Sequence, residues 1–337
     1  MPADSFDQLG GMAVAGGIVA AFALPVGLLL AVLNRRLGGS LIPQWRHIQS
    51  RFNGIEILIL FGAYYTVMTV GPGVLESLGF YRAIYGSELP ATESFRVIRH
   101  LWVNLFVAPL LLAASLGLPL LLRLQPVKFE PSRLPGRVAF AVLAWFVATP
   151  VVLGIYYLTM IVVQLLGDRV QEHPLAETGP GESGLDRFFF GFVVCVITPL
   201  AEEVLFRGLL VRWAAGRWYR PWILVGTAAL FLVATMVQQP GDFGPISLAV
   251  LFGLGLYAIE KLGRYRPRFA VRTASAVFSS AALFGAVHAQ VWPTPVPLFF
   301  LGLVLGYVAI RSGSIVGPIV LHGLFNAVSF AFLLRSA

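Results

Sequence analysis

Ten apolar runs, separated by short polar gaps, restrict what this chain can fold into more than any other feature. They lie at about residues 11–33, 54–75, 101–122, 138–166, 188–211, 221–237, 245–259, 273–289, 296–310 and 315–334. A helix needs ~20 predominantly apolar residues to cross the hydrocarbon core of a bilayer, and most of these runs approach that length. With 58% hydrophobic and only 12% charged residues, a chain of 337 residues is too apolar to be a water-soluble domain. The expected fold is all-α, a polytopic transmembrane bundle of about 8–10 spans.

The formal charge of +8 is distributed unevenly. Basic residues fill every second gap: Arg35, Arg36, Arg46 and Arg51; Arg123, Lys128, Arg133 and Arg137; Arg212, Arg217 and Arg220; then Lys261, Arg264, Arg266, Arg268 and Arg272. The intervening gaps are mixed or acidic, most clearly 168–187 with Asp168, Glu172, Glu177, Glu182 and Asp186. This alternation is the positive-inside pattern, and the partner it implies is the lipid bilayer with its anionic headgroups, not nucleic acid. It puts the loops at 34–53, 123–137, 212–220 and 260–272 in the cytoplasm. The arginine-dominated basic set points to a prokaryotic cytoplasmic membrane. Asp4 and Asp7 precede the first run without a basic residue, so 11–33 reads as a retained anchor with its N-terminus outside.

Minor features read as structural. Cys195, the single cysteine, permits no intramolecular disulfide and reads as core packing. Gly302 and Gly306 form a GxxxG pair suited to close helix contact. In the polar stretch 76–100, Phe80, Tyr81, Arg82, Tyr85 and Arg96 read as headgroup-level residues, and Glu56 and Asn104 as interfacial or packing residues. GESG at 181–184 reads as a loop turn, Asp242 is isolated, and no HExxH occurs. A weak echo between AALF at 228–231 and AALF at 281–284 sets Thr235 against His288 and predicts that Thr235 lies away from any site.

An ionisable residue at membrane depth costs at least ~2.5 kcal/mol on insertion scales, so each one needs a reason. Three groups stand out. In EEVLFR, Glu203 and Arg207 are i and i+4 and share a helix face, whereas Glu202 is rotated about 100° from Glu203. Glu203 therefore has a counter-charge within its own helix, and Glu202, without one, is the carboxylate free to accept and return a proton. In FGAVH, Phe284 and His288 are one turn apart; in HGLFN, His322 and Asn326 are again i and i+4. Singly, each has a bland reading as a salt bridge, a packed histidine or an interhelical hydrogen bond. Together, two carboxylates, two imidazoles, a guanidinium and a carboxamide on three spans point to a shared polar site. Depth does not fit at every position. His322 lies nine residues beyond Gly313 (322 − 313), about 13 Å at ~1.5 Å per residue, shallower than the other two groups, so its helix must start deeper or tilt.

The three motifs in this order, EExxxR, FxxxH and HxxxN, resemble the CPBP family of intramembrane proteases, which includes CAAX prenyl endopeptidases and bacteriocin-processing (Abi) proteins. The flanking TPLAEEVLFRGLL and GLVLGYVAIRSGSIVGPIVLHGLFNA share the resemblance. It covers about 185–335, with an inserted helix pair near 221–259, and leaves 1–180, about four spans, as an unassigned N-terminal membrane region. The family implies an intramembrane endopeptidase, a hydrolase acting on membrane-associated, prenylated or secreted peptides. Glu202 with His288 would activate water, His322 and Asn326 would donate to the oxyanion, and Glu203 with Arg207 would hold the geometry. Family members are often called metalloproteases, and Glu202, His288 and His322 could form a three-ligand zinc site. Sequence leaves metal-bound and glutamate-activated water as open alternatives. The rival class is a non-catalytic scaffold or a proton-coupled transporter using the same cluster.

Overall fold

A computed structural model describes residues 53–87, 89, 93–121, 134–165, 184–238 and 244–336. The run at 11–33, the acidic loop centred on 168–183, Asp242, and the loops at 34–52 and 122–133 lie outside the described residues. What is described is a polytopic helical bundle without strands. Its helices are α1 (Gly54–Ser77), α2 (Phe80–Tyr85), α3 (Glu93–Leu121) and α4 (Leu134–Leu165). The central helix α5 runs from Gly184 to Ala214, and α6 (Arg220–Gln238), α7 (Gly244–Leu262), α8 (Arg268–Ala286), α9 (Pro295–Ser312) and α10 (Val316–Ser336) follow. Among the described residues, seven helices are long and apolar enough to cross a membrane; α6 and α10 hold shorter apolar segments, 220–235 and 316–332.

Local chemistry sets several boundaries. Asn53 begins α1 with a reciprocal cap: its side chain accepts from the backbone N–H groups of Ile55 and Glu56 at 2.9 and 3.0 Å, and its own N–H donates to Glu56 at 2.8 Å. Glu56 thus serves the helix end. Between α9 and α10 the chain reverses in three residues, because Gly313 takes the left-handed conformation (φ 64°) at the C-terminus of α9. Ser312 and Ser314 bind the turn's backbone, with Ser314 accepting from the Val316 N–H at 3.2 Å.

The 76–100 stretch is more deeply packed than its composition predicts. Tyr81 is fully buried, contacts Phe95 at 5.9 Å and donates its hydroxyl to the Arg99 carbonyl at 3.1 Å. Arg99 pairs with Glu76. Tyr81 therefore pins α2 against α3.

Burial is graded from the middle outward. Two-thirds (67%) of the most apolar window of α8 is buried, against 11% for α7, so α8 is interior and α7 faces its surroundings on most sides. Helix α8 packs on α6, α7 and α9; α4 packs on α9 and α10; α3 and α10 flank the middle of α5. The GxxxG pair permits the α8–α9 approach: a Cβ on Gly302 would lie 3.0 Å from Ala281 Cα, and one on Gly306 would lie 2.7 Å from Val277 Cγ1.

Candidate active site

The site is built on an irregular stretch of α5. Two π-helical turns, Val193–Ile197 and Val204–Leu210, enclose the short α-helical segment Thr198–Glu203. Pro199 supplies the local cause: it has no N–H for the Cys195 carbonyl, so the preceding turn cannot close normally. Helix α10 uses the loosened backbone. Asn326 Nδ2 donates to the Val194 carbonyl at 2.9 Å, and Gly323 lies where any side chain would run into the Cys195 carbonyl. The half-buried Cys195 is thus part of this packing.

Glu203 is completely buried. Its Oε1 accepts from Arg207 Nη1 at 2.9 Å and from His322 Nδ1 at 2.9 Å, while Oε2 is buried without a hydrogen-bond partner. Arg207, 1% exposed, also donates to the Gly302 carbonyl at 3.2 Å and lies over the Phe284 ring at 4.6 Å. The glycine that lets α9 approach α8 thus also brings a carbonyl within reach of the guanidinium. A charge buried so deeply persists only when paired and hydrogen-bonded, and Arg207 meets both conditions.

Glu202 faces the other way and is 17% exposed. Its Oε1 lies 3.9 Å from His288 Nε2 and its Oε2 lies 3.7 Å from His322 Nε2. His288 sits just past the end of α8, where Phe284 has a carbonyl without a helical partner, and the imidazole Nδ1 is 2.7 Å from that oxygen. A carbonyl can only accept, so Nδ1 carries the proton and the Nε2 of a neutral His288 presents its lone pair towards Glu202. His322, 4% exposed, is fixed in the same way by Glu203. Phe284 stacks edge-on to both imidazoles, with centroids at 5.2 and 5.7 Å.

Glu202, Glu203, Arg207, His288 and His322 are therefore in one cluster, while the contact made by Asn326, one turn beyond His322, is to α5 backbone. Thr235 bonds the Leu232 carbonyl of its own helix. Of the two readings open for Asn104, interfacial or packing, the packing one holds. It is 4% exposed in α3, donating from Nδ2 to Thr198 Oγ1 at 2.8 Å, with the Tyr64 hydroxyl 3.5 Å from its Oδ1. The available sequence signal was that Thr198 lies one helical turn before Glu202.

Among the described residues, no three His, Cys, Asp or Glu side chains are arranged to hold a metal ion. Glu202, His288 and His322 have suitable donor chemistry for zinc, but their present arrangement does not close on one centre, and no step below passes through a metal.

The fold and cluster define a class: a polytopic helical membrane protein with a glutamate pair, an arginine and two histidines gathered inside the bundle. Residues 184–261 and 257–328 match the family model described as Rce1-like, type II CAAX prenyl endopeptidase. The matched part of the chain carries every residue of the cluster and Asn326, and the match is consistent with the CPBP family that the motifs resemble. Comparison with curated proteins found no match. Comparison with solved structures found none either.

Proposed function

We propose that the protein is an intramembrane endopeptidase that hydrolyses a peptide bond of a membrane-associated substrate, with Glu202 and His288 activating the water. The observation that carries this reading is the 3.9 Å gap between the Glu202 carboxylate and His288 Nε2. Both groups accept hydrogen bonds, and one water can donate to each of them at once.

The remaining steps follow from the charges. A guanidinium and two carboxylates leave this buried cluster one positive charge short of neutrality, so a shared proton among Glu202, His288 and His322 offsets the excess. With that proton on His322, Nδ1–H stays on Glu203 and Nε2–H becomes a donor for a developing oxyanion. The second N–H of the Asn326 amide, not used on Val194, is a further donor. Water attacks the carbonyl carbon as Glu202 takes its proton; Glu202 then protonates the leaving nitrogen and the C–N bond breaks. The preorganised donors stabilise the tetrahedral intermediate, each contributing about 10²–10³ in rate. The setting is the cytoplasmic membrane of a prokaryote, with the basic loops inside.

The test is cleavage of membrane peptides, prenylated and unprenylated, by purified protein, read by mass spectrometry with and without a zinc chelator. Cleavage that persists in chelator supports water activation by the protein's own groups. Loss in chelator and recovery with Zn²⁺ would reassign Glu202, His288 and His322 as ligands. No cleavage by the wild-type protein, together with proton-coupled flux that depends on Glu202, would favour the transporter.

A further inference from the structure

The segment carrying Glu202 is unusually dependent on its neighbours. Thr198–Glu203 is six residues long and has a π-turn on each side, so its own helix fixes its rotation weakly. Other elements hold the adjacent turns: Asn326 takes the Val194 carbonyl, Ser280 of α8 donates to the Phe206 carbonyl at 3.3 Å, and Arg207 takes the Gly302 carbonyl. On the segment itself, side-chain hydrogen bonds from other helices hold both ends: Asn104 of α3 donates to Thr198, four residues before Glu202, and His322 of α10 donates to Glu203.

Thr198 and Glu202 are i and i+4, so a clamp on the first sets the direction of the second. Asn104 is in turn approached by the buried Tyr64 of α1, giving a line Tyr64–Asn104–Thr198. Phe61, one turn before Tyr65, meets Phe206 edge-on at 5.6 Å, holding α1 against the second π-turn. All of α1 and α3 lies outside the family match at 184–328.

We propose that Tyr64 and Asn104 are positioning residues for Glu202: the N-terminal helices, through the Tyr64–Asn104–Thr198 line, set the rotation of the α5 segment that presents this carboxylate to the two imidazoles. The role rests on the peptidase reading for its consequence in catalysis, but not for its physical effect on Glu202.

The experiment therefore has two readouts. Infrared difference spectra of the full-length protein in lipid follow protonation of Glu202 against pH, with the band assigned by its loss in Glu202→Gln. The groups around that carboxylate among the described residues are Glu203 and Arg207 on its own helix, His288 from α8, His322 from α10, and Tyr64 and Tyr65 from α1. Thr198→Val and Asn104→Leu leave all of them in place. Each should move the Glu202 midpoint by about half a pH unit or more, while Thr198→Ser, which keeps the hydroxyl, should not. Tyr64→Phe removes one oxygen and should shift it in the same direction by less. In the peptide assay, Thr198→Val and Asn104→Leu should lower kcat about tenfold with KM within about twofold. An unchanged midpoint in both variants overturns the positioning role, whatever the activity does. A shifted midpoint in a protein that cleaves no peptide leaves the role standing and removes the peptidase.

Discussion

At the scale of single residues, the two glutamates have opposite surroundings. Glu203 has accepted two charge-assisted hydrogen bonds and is closed off, whereas Glu202 faces two imidazoles across gaps of 3.9 and 3.7 Å. Substitutions should separate these roles. Glu202→Gln and His288→Ala remove groups assigned to proton transfer, so cleavage should fall by about 10²–10⁴ while detergent melting changes little. Arg207→Ala leaves Glu203 buried beside an imidazole but without its guanidinium, and breaking a buried pair costs about 3–5 kcal/mol. That variant should lose folded protein as well as activity; His322→Ala and Asn326→Ala should lose activity with a surviving fold. Melting and cleavage measured on one set of purified variants check the ordering. Wild-type cleavage by Glu202→Gln would reject the mechanism.

The same scale shows what the sequence could and could not disclose. The pairing of Glu203 with Arg207 was legible because two opposite charges at i and i+4 in an apolar run have little else to do. The tautomer of His288 was not, since it depends on Phe284 having a carbonyl freed by the end of α8, a boundary three residues short of the end of the apolar run at 273–289. For Asn104 the sequence left an interfacial and a packing role open, because a lone amide near the start of a run suits either, and only packing of α3 against α5 reveals its partner. The burial of Tyr81 was not legible either, because a tyrosine among arginines matches a headgroup belt in composition and its partners lie on α3.

At the scale of elements, close approach of helices is what brings distant polar groups to one place. The α8–α9 contact at Gly302 has two consequences: it admits Ala281 at 3.0 Å from the position of a Cβ, and it leaves the Gly302 carbonyl open to Arg207, whose Nη2 would lie 3.4 Å from that Cβ. Gly302→Ala should therefore separate the helices and disturb the guanidinium together. Overpacking of this kind costs about 1–3 kcal/mol, more than the gain in helix propensity from replacing glycine, about 1 kcal/mol. Gly253 on the outer helix α7 is the control, since a Cβ there meets nothing within 4 Å, and Gly253→Ala should be neutral or slightly stabilising. Thermal melting of the two variants reads the contrast; equal melting would mean that the α8–α9 contact tolerates a methyl group. The GxxxG spacing made this contact legible in advance. The π-turns of α5 were not legible, because Pro199 marks only the first of them and the second has no comparable residue.

At the scale of the whole molecule, orientation follows from charge. Helices α6 and α7 leave and return, so the turn from α5 to α6 and the turn from α7 to α8 fall on one face of the bundle. The basic residues gather at these turns, with Arg217 and Arg220 at the first and Lys261, Arg264, Arg266, Arg268 and Arg272 at the second. Exposed aromatic residues accompany them: Trp218, Tyr219 and Tyr265, the residues that favour a membrane–water boundary. Each basic side chain near an anionic surface contributes about 1 kcal/mol, so five at the second turn bias this face strongly towards the cytoplasmic leaflet. The match of two separate turns on one face is a stronger argument than either run of arginines alone, because the fold brings them together independently of their charge. A cysteine placed at Arg266, in a Cys195→Ala background, should react in intact cells with a membrane-permeant maleimide and resist an impermeant one. Labelling by the impermeant reagent would put this face outside and, with it, reverse the side from which a substrate approaches Glu202.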